Sequence, residues 1–156
     1  METSVEFTGV EELSRKLDLL ADPKIARRIA RKAARQGMNI VRDSARQRAK
    51  LIDDPETRER IWKNIITSGG KTKDLNTIVM RVGIRGGAAM NAKSDRQALA
   101  GLSGGNTTYW RMIEFGNSHQ PAVPFMRPAL AENIDAVTNK FSNVFIEEID
   151  KELAKK

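Results

Sequence analysis

A single histidine is the first candidate for chemistry in this sequence of 156 residues. His119 could serve as a general base, but its neighbours are polar loop residues, and the sequence places no nucleophile beside it. Base catalysis of the triad type needs a nucleophile and an orienting group within hydrogen-bond reach of the imidazole. We therefore interpret His119 as a solvated loop residue.

The other residue types that carry chemistry are scattered along the chain. The sequence contains no cysteine, which excludes disulfides, thiolate metal sites and cysteine nucleophiles. A zinc-type site needs three or four converging ligands, and no Asp-rich loop with calcium-binding spacing is present. Glu114 could form an acid–base pair with Asp95 or His119, but nothing in the sequence brings these side chains together.

Phosphate-binding loops are not predicted either. Residues 68–71, SGGK, resemble part of such a loop but lack its spacing and the helix that should follow. The glycines near Gly86 and Gly104 are not followed by a Lys-Ser or Lys-Thr pair. The sequence therefore predicts no catalytic residue, no cofactor and no metal, and we do not expect an enzyme.

Basic residues are concentrated in one segment. Residues 24–50 contain ten basic residues and one acidic residue, a net charge of +9, whereas the whole chain carries +7. Residues 1–23 and 128–156 are acidic, with net charges of −4 and −2. On a helical wheel, eight basic residues share one half: Arg27, Arg28, Arg31, Lys32, Arg35, Arg42, Arg46 and Lys50.

Two interpretations of this basic surface stay open. One is salt-sensitive contact with nucleic-acid phosphates, as on the wall of a DNA channel. The other is a solvated or partner-facing surface that is neutralised by the acidic outer helices. Base reading is not predicted, because the segment has no stacking aromatic residue and no DNA-recognition motif.

Apolar periodicity places the basic surface on a long helix. A short helix precedes it in residues 9–20, and Asp22 as N-cap with Pro23 in the first turn predicts the start of the next. The long helix is predicted from residue 24 to about residue 52. Its apolar half contains Ile25, Ile29, Ala30, Ala33, Ala34, Ile40, Val41 and Leu51.

The middle of the chain alternates as strands do. Asp54 and Pro55 signal either a short helix or a helical turn that runs into a strand. We predict a hairpin that pairs residues 62–69 with 76–85, followed by a flexible loop over 86–106. A last helix is predicted from about Pro128. Its apolar stripe comprises Leu130, Ile134, Val137, Phe141, Val144 and Phe145, continuing to Ile149 and Leu153.

Residues 109–130, YWRMIEFGNSHQPAVPFMRPAL, connect the loop to this helix. Gly116 permits a backbone angle that other residues resist, and Pro121 and Pro124 stiffen the connection. Pro128 fits a first helical turn. The length favours one domain over residues 1–156. The acidic N-terminus has no signal-peptide pattern, no apolar run reaches membrane-spanning length, and the chain reads as a soluble, intracellular protein.

The order of motifs resembles a known protein family. The pattern Y-x4-EFG, formed by Tyr109, Glu114, Phe115 and Gly116, is followed by PFMRPA at residues 124–129. Together with the helical N-terminal region, the hairpin containing Val82 and Gly83, and the C-terminal helix, these motifs resemble the tail-completion proteins of tailed bacteriophages. Those proteins are also described as head–tail joining, neck or minor tail proteins.

The resemblance implies an α+β fold, with a small antiparallel β-sheet packed against a long N-terminal basic helix and a C-terminal helix. It implies a non-enzymatic virion protein, assembled in the bacterial host cytoplasm, that completes the tail and joins it to the head connector. The implied partners are further copies in a ring, often sixfold, and tail-tube or tail-terminator and head-connector proteins, with no membrane. The implied motif or subunit-interface residues are Tyr109, Glu114, Phe115, Gly116, Pro124, Phe125, Arg127 and Pro128.

Overall fold

The longest element is helix α2, Pro23–Ile52, which follows helix α1, Val10–Ala21. Both belong to a computed structural model that describes residues 10–87 and 89–155. The Asp22 carboxylate accepts the Lys24 N–H at 2.9 Å, and Pro23 occupies the first turn, where it has no bond to lose. The predicted cap and both predicted helices are confirmed. At 1.5 Å per residue, α2 is about 45 Å long.

Helix α7, Ile134–Leu153, packs antiparallel to α2 along a stripe of small residues. The buried positions of α2 recur at every fourth residue: Ile29, Ala33, Gly37, Val41, Ala45 and Ala49. A Cβ added to Gly37 would lie 3.0 Å from the Val137 carbonyl oxygen, so the two backbones approach closely there. Small residues allow this approach, and it explains why so much of the predicted apolar half is alanine. Leu51, at the end of that half, is 89% exposed.

The hairpin is confirmed, with shorter strands than predicted. Helix α3, Ile61–Asn64, runs directly into strand β1, Ile65–Gly69, which decides between the two alternatives for this segment. Strand β2, Met80–Ile84, pairs antiparallel with β1, and Thr67 lies opposite Val82. The sheet packs against α2 through Ile65 and its neighbours, and the fully buried Phe125 lies in the same apolar cluster.

Residues 86–106 contain a helix that the sequence did not predict. Helix α4, Arg96–Ala100, is capped by the Asp95 carboxylate, which accepts the N–H groups of Gln97 and Ala98 at 3.0 Å. Its Leu99 is buried. Five residues are too few to show apolar periodicity, so composition alone indicated a loop. The flexibility of this segment stays a prediction.

The segment predicted as one last helix forms two helices, α6, Met126–Ala131, and α7, so that part of the prediction is wrong. A break at Glu132 and Asn133 separates them. The short helix α5, Trp110–Phe115, precedes both. The Asn133 side chain donates to the Ala129 carbonyl at 2.7 Å and stabilises the break. Because the break interrupts the periodicity, Leu130 and Ile134 are 49% and 57% exposed instead of sharing the buried stripe.

The fold class is confirmed as α+β. A small antiparallel sheet packs against a long basic N-terminal helix and a C-terminal helix. One apolar cluster surrounds Phe125 at the middle and C-terminal half of α2. A second cluster joins Leu19 of α1, Ile29 of α2 and Ile149 of α7 at the other end.

Candidate functional site

A buried carboxylate joins the two halves of the 109–130 motif. Glu114, at the end of α5, is 1% exposed. Its carboxylate accepts the backbone N–H groups of Phe125, Met126 and Arg127 at 2.7, 2.9 and 2.9 Å. These are the first free N–H groups of α6, so Glu114 caps that helix from outside it. We call Glu114 with residues 125–127 the Glu114 clamp.

Arg127 completes the clamp with its side chain. The Arg127 Nε donates to the Glu114 carboxylate at 3.1 Å, and a terminal nitrogen donates to the Glu114 carbonyl at 2.7 Å. Burial raises the pKa of Glu114, but the hydrogen bonds from Met126, Phe125 and Arg127 outweigh that effect. The net result is a Glu114 pKa below its usual value. A carboxylate held ionised by four donors is a structural anchor and a poor proton acceptor.

Gly116 makes the turn between the two halves of the motif possible. Its φ of 73° and ψ of 175° belong to a region that is accessible almost only to glycine. A Cβ at this position would lie 2.7 Å from the Ala122 backbone nitrogen. The loop continues with Asn117, whose side-chain oxygen accepts the N–H groups of His119 and Gln120, each at 2.8 Å.

The remaining motif residues divide between core and surface. Phe125 is fully buried, and Tyr109 packs against the same cluster, where burial and then Glu59 and Asp53 raise its pKa to about 12. Phe115, in contrast, is 53% exposed, and the Arg127 guanidinium lies 4.8 Å from its ring centre.

Residues on α5 and in the segment that follows it differ in exposure. Pro124 is exposed and Pro128 is half-buried. Two more apolar residues, Met112 and Val123, are exposed. Met112 lies on α5. Val123 lies in the segment after α5, and its N–H donates to the Ile113 carbonyl of that helix at 2.8 Å. We call Met112, Phe115 and Val123 the α5 apolar patch.

Part of the basic surface is neutralised by α7. Arg28 forms an ion pair with Glu152, and Lys32 forms one with Glu148 at 2.8 Å. Arg48, outside the predicted set, pairs with Glu132. Arg42 pairs with its neighbour Asp43 at 2.8 Å. The contacts with Glu152, Glu148 and Glu132 are those that the second interpretation expects, in which acidic segments lie beside the basic helix.

Other basic side chains bind backbone carbonyls or an aromatic ring. Arg46 donates from Nε and a terminal nitrogen to the Ile65 carbonyl at 3.0 and 2.7 Å. Arg35 donates to the Thr67 carbonyl at 3.5 Å, and Arg27 donates to that of Leu75. The Lys50 ammonium lies 4.5 Å above the Trp62 ring. Arg46 is therefore half-buried and bound to the hairpin, although it shares the basic half of the helical wheel.

The first half of α2 keeps a concave basic surface of about 480 Å³, the cationic groove. Its lining residues are Lys24, Arg27, Arg28, Arg31, Lys32 and Arg35. Arg31 is exposed and makes no hydrogen bond or ion pair with any residue in 10–87 or 89–155. The predicted basic residues thus divide into a groove at the start of α2 and, beyond it, residues that contact Asp43, the Ile65 carbonyl or the Trp62 ring.

The candidates for catalysis do not come together. Asp95 caps α4 and Glu114 caps α6, so both carboxylates have structural bonds, and the structure shows no contact of either with the His119 side chain. Among the described residues, no group of three or more potential metal ligands converges. Within the same residues, no helix has the length and apolar character for crossing a membrane.

The sequence model of one family matches most of this architecture. That family, HK97-gp10-like, is described as "Bacteriophage HK97-gp10, putative tail-component", and the match covers residues 11–116. The chain belongs to this family. No curated protein and no solved structure matches the chain. The predicted resemblance to tailed-phage tail and head–tail joining proteins is thereby confirmed.

Membership in the HK97-gp10-like family makes the chain a structural phage protein, of a class that is typically non-enzymatic. The match includes α1 to α5 and the residues Tyr109 to Gly116, and it ends before residues 124–129. The Glu114 clamp therefore connects the last matched helix to the segment that follows the match. As a tail component, the chain is associated with the virion and with other phage structural proteins.

Sequence reasoning missed two polar residues that shape this family member. Asp53 accepts the N–H groups of Ile61 and Trp62 at 2.9 and 3.3 Å, so it caps α3, where Asp54 had been predicted as the start signal. Asn64 is buried and bonds to Gly104 N–H at 2.9 Å and to Thr107 Oγ1 at 2.8 Å. No local pattern identifies Asn64, because its partners lie about forty residues away.

Proposed function

We propose that this chain completes the tail of a tailed phage or prophage and joins it to the head connector, as one subunit of a ring. The observation that carries the proposal is the match to a phage tail-component family over residues 11–116. The protein acts by geometry and not by catalysis. It is incorporated into the virion after assembly in the host cytoplasm.

Two separate surfaces support the ring. The α5 apolar patch lies on the 109–130 motif, and the cationic groove lies on the first half of α2. Rings are built from heterologous contacts, in which two different patches of a subunit meet. Exposed acidic residues on α1, Glu11, Glu12 and Asp18, offer a complement to a neighbour's cationic groove. The expected partners along the axis are a tail-tube or tail-terminator protein and the head connector.

Electron microscopy of lysates tests the joining role. A phage or induced prophage that lacks the gene should produce DNA-filled heads and separate tails, and supplying the wild-type chain from a plasmid should restore joined particles. Intact virions from the deletion would reject the proposal.

Native mass spectrometry of the isolated neck tests the ring. Phe115→Asp, in the α5 apolar patch, should reduce assembly, because it places a charge in a surface that a neighbour is expected to cover. Leu51→Asp is the matched control, since Leu51 is 89% exposed and lies outside both surfaces. If both variants assemble equally well, the α5 apolar patch is not part of the subunit interface.

The cationic groove supports a second candidate function, non-specific contact with nucleic acid. Within residues 10–87 and 89–155, six cationic side chains and no acidic one line it. Filter binding to duplex DNA tests this function, and the logarithm of the affinity should fall with the logarithm of salt concentration with a slope of up to about −5 for six phosphate contacts. Arg31→Gln should weaken binding and flatten the slope. Absence of binding at low salt would exclude the function.

A further inference from the structure

Within residues 10–87 and 89–155, no strand pairs with the outer edge of β2. Thr67 lies opposite Val82, and the bond from Gly70 N–H to the Val79 carbonyl, 2.8 Å, continues the ladder. Hydrogen-bonded and non-hydrogen-bonded pairs alternate in an antiparallel ladder. The Thr67–Val82 pair is therefore of the second kind, and the N–H and C=O of Val82 point away from β1. The same holds for Met80.

The two outer edges of the hairpin differ in their hydrogen bonding. On β1, the outward carbonyls of Ile65 and Thr67 accept hydrogen bonds from Arg46 and Arg35. On β2, no residue in 10–87 or 89–155 bonds to the outward groups of Met80 and Val82. Folded proteins generally cover, shorten or charge a free strand edge, because it pairs readily with another strand. An edge left open beside a closed one indicates a pairing site.

An apolar groove of about 320 Å³ runs beside this open edge. We call it the β2 groove. Its apolar lining comes from three elements: Met38 and Val41 of α2, Met80 and Val82 of β2, and Met126 and Leu130 of α6. The volume is at the small end for ligand pockets, so it suits side chains of an added strand better than a whole helix. Arg81 and Arg127 also border it. The Arg127 guanidinium is paired with Glu114, so the exposed Arg81 is the cation that favours an acidic occupant.

One segment of this chain has the matching chemistry. Residues 3–8, TSVEFT, lie outside the described part of the chain. Val5 and Phe7 alternate with polar residues, as in a strand with one buried face, and Thr, Val and Phe favour strands. Between them stands Glu6. When Val5 and Phe7 face the β2 groove, Glu6 faces the opposite side of the sheet, which is also the side of Arg81.

We propose that residues 3–8 of one copy add as a third strand, antiparallel to β2, at the outer edge of β2 in the neighbouring copy. Val5 and Phe7 fill the β2 groove, and Glu6 lies beside Arg81. Donor segment and acceptor edge are different patches, so the contact is heterologous, which is the type of contact from which rings are built. This inference rests on the proposed ring and specifies how its subunits are connected.

Cross-linking tests the register directly, because the chain has no cysteine. Residue 81 bonds inward to β1, so it forms a non-hydrogen-bonded pair with the added strand, and its Cα lies about 4.5 Å from that of the opposite residue. The double variant Glu6→Cys, Arg81→Cys should therefore form disulfides on oxidation of the assembled protein. Non-reducing gels should show covalent multimers up to the ring size.

The matched control is Glu6→Cys with Ser68→Cys. Ser68 lies opposite Arg81 on the same face of the sheet, one strand farther from the added segment. That extra strand spacing of about 4.8 Å places its Cα beyond disulfide range. Covalent multimers from the first pair and none from the control are expected. Equal cross-linking of both pairs, no cross-linking, or a disulfide confined to single chains would overturn the proposal.

Amide exchange gives an answer even where the cysteine variants fail to assemble. The Val82 amide should be protected in the assembled wild-type protein and lose protection in Val5→Asp, Phe7→Asp. The control Ser4→Asp, Thr8→Asp carries the same added charge on the opposite face and should keep the protection. The Gly83 amide bonds inward to β1 and should stay protected throughout. An unprotected Val82 amide in the assembled wild type contradicts the proposal.

The two proposals fail separately. Joined virions from the gene deletion would reject the neck role whatever the cross-linking shows. Separated heads and tails from the deletion, with no Glu6–Arg81 cross-link in rescued particles, would retain the neck role and reject the added strand.

Discussion

At the scale of single residues, Glu114 does the work of a helix cap from a distant position. It lies 11 to 13 residues before the N–H groups that it binds, and the charge of its carboxylate is matched by the Arg127 guanidinium. The resemblance identified Glu114 as a motif residue, but the sequence did not show what it binds. Caps with sequence-local partners, such as Asp22, were predictable because N-cap and N–H are two residues apart.

Replacing Glu114 by Gln removes the charge and puts an amide NH₂ among backbone donors. We expect the free energy of unfolding at pH 7 to fall by about 2–3 kcal/mol. Because the folded pKa of Glu114 is lowered, its contribution is present above the ordinary glutamate pKa, about 4.3, and is lost as pH falls through the folded value. Urea denaturation at pH 7 and pH 3 should therefore show a smaller acid loss in the variant.

The exposed Glu147→Gln is the control for that experiment. Glu147 is 61% exposed and, within residues 10–87 and 89–155, forms an ion pair only with Lys151 on the same helix, so its loss should change stability by less than about 1 kcal/mol. Equal effects of the two variants would show that the Glu114 clamp does not stabilise the fold.

Gly116→Ala tests the turn at the centre of the motif. Alanine is strained at this φ and ψ, and its Cβ would meet the Ala122 nitrogen, so we expect a loss of about 1–3 kcal/mol. Gly83→Ala is the control, because no heavy atom of the described residues lies within 4 Å of an added Cβ there. Thermal melts compare the two, and an unchanged melting temperature for Gly116→Ala would be inconsistent with a glycine-only turn.

At the scale of elements, the packing of α2 on α7 depends on side-chain size. Ala33 is fully buried in the stripe that meets α7, one turn before Gly37. Ala33→Leu should destabilise the protein by about 1–3 kcal/mol through overpacking. Ala136→Leu, an exposed alanine on α7, is the matched control and should stay within about 0.5 kcal/mol. Urea midpoints of the two variants measure the difference, and similar midpoints would contradict a tight crossing.

Elements with long or alternating patterns were predictable. The helix over residues 23–52 and the hairpin follow from periodicity, which needs no tertiary information. Helix α4 has five residues, and the break at Glu132 and Asn133 follows from a side-chain bond to Ala129 inside an otherwise helical pattern. Neither leaves a periodic signal. The α5 apolar patch and the open β2 edge depend on which surfaces the other elements cover, so a single sequence does not specify them.

At the scale of the whole molecule, placement of charge matters more than its total. Arg31→Met and Arg46→Met both reduce the net charge from +7 to +6. We expect Arg46→Met to cost about 1–3 kcal/mol, because the Ile65 carbonyl loses both donors. Arg31→Met should leave stability within about 0.5 kcal/mol. Urea midpoints provide the measurement, and matching losses would mean that net charge governs the stability of the fold.

The long contact between α2 and α7 also sets an order of events during synthesis. Arg28 meets Glu152 and Lys32 meets Glu148, so partners are separated by more than a hundred residues. The ribosome synthesises nearly the entire polypeptide before α7 is available to pack against the small-residue stripe of α2. Until then the nascent chain displays that stripe and an uncompensated excess of positive charge, which exposes it to chaperones and to RNA. A chain that terminates prematurely near residue 130 would lack α7 and would remain in this aggregation-prone state.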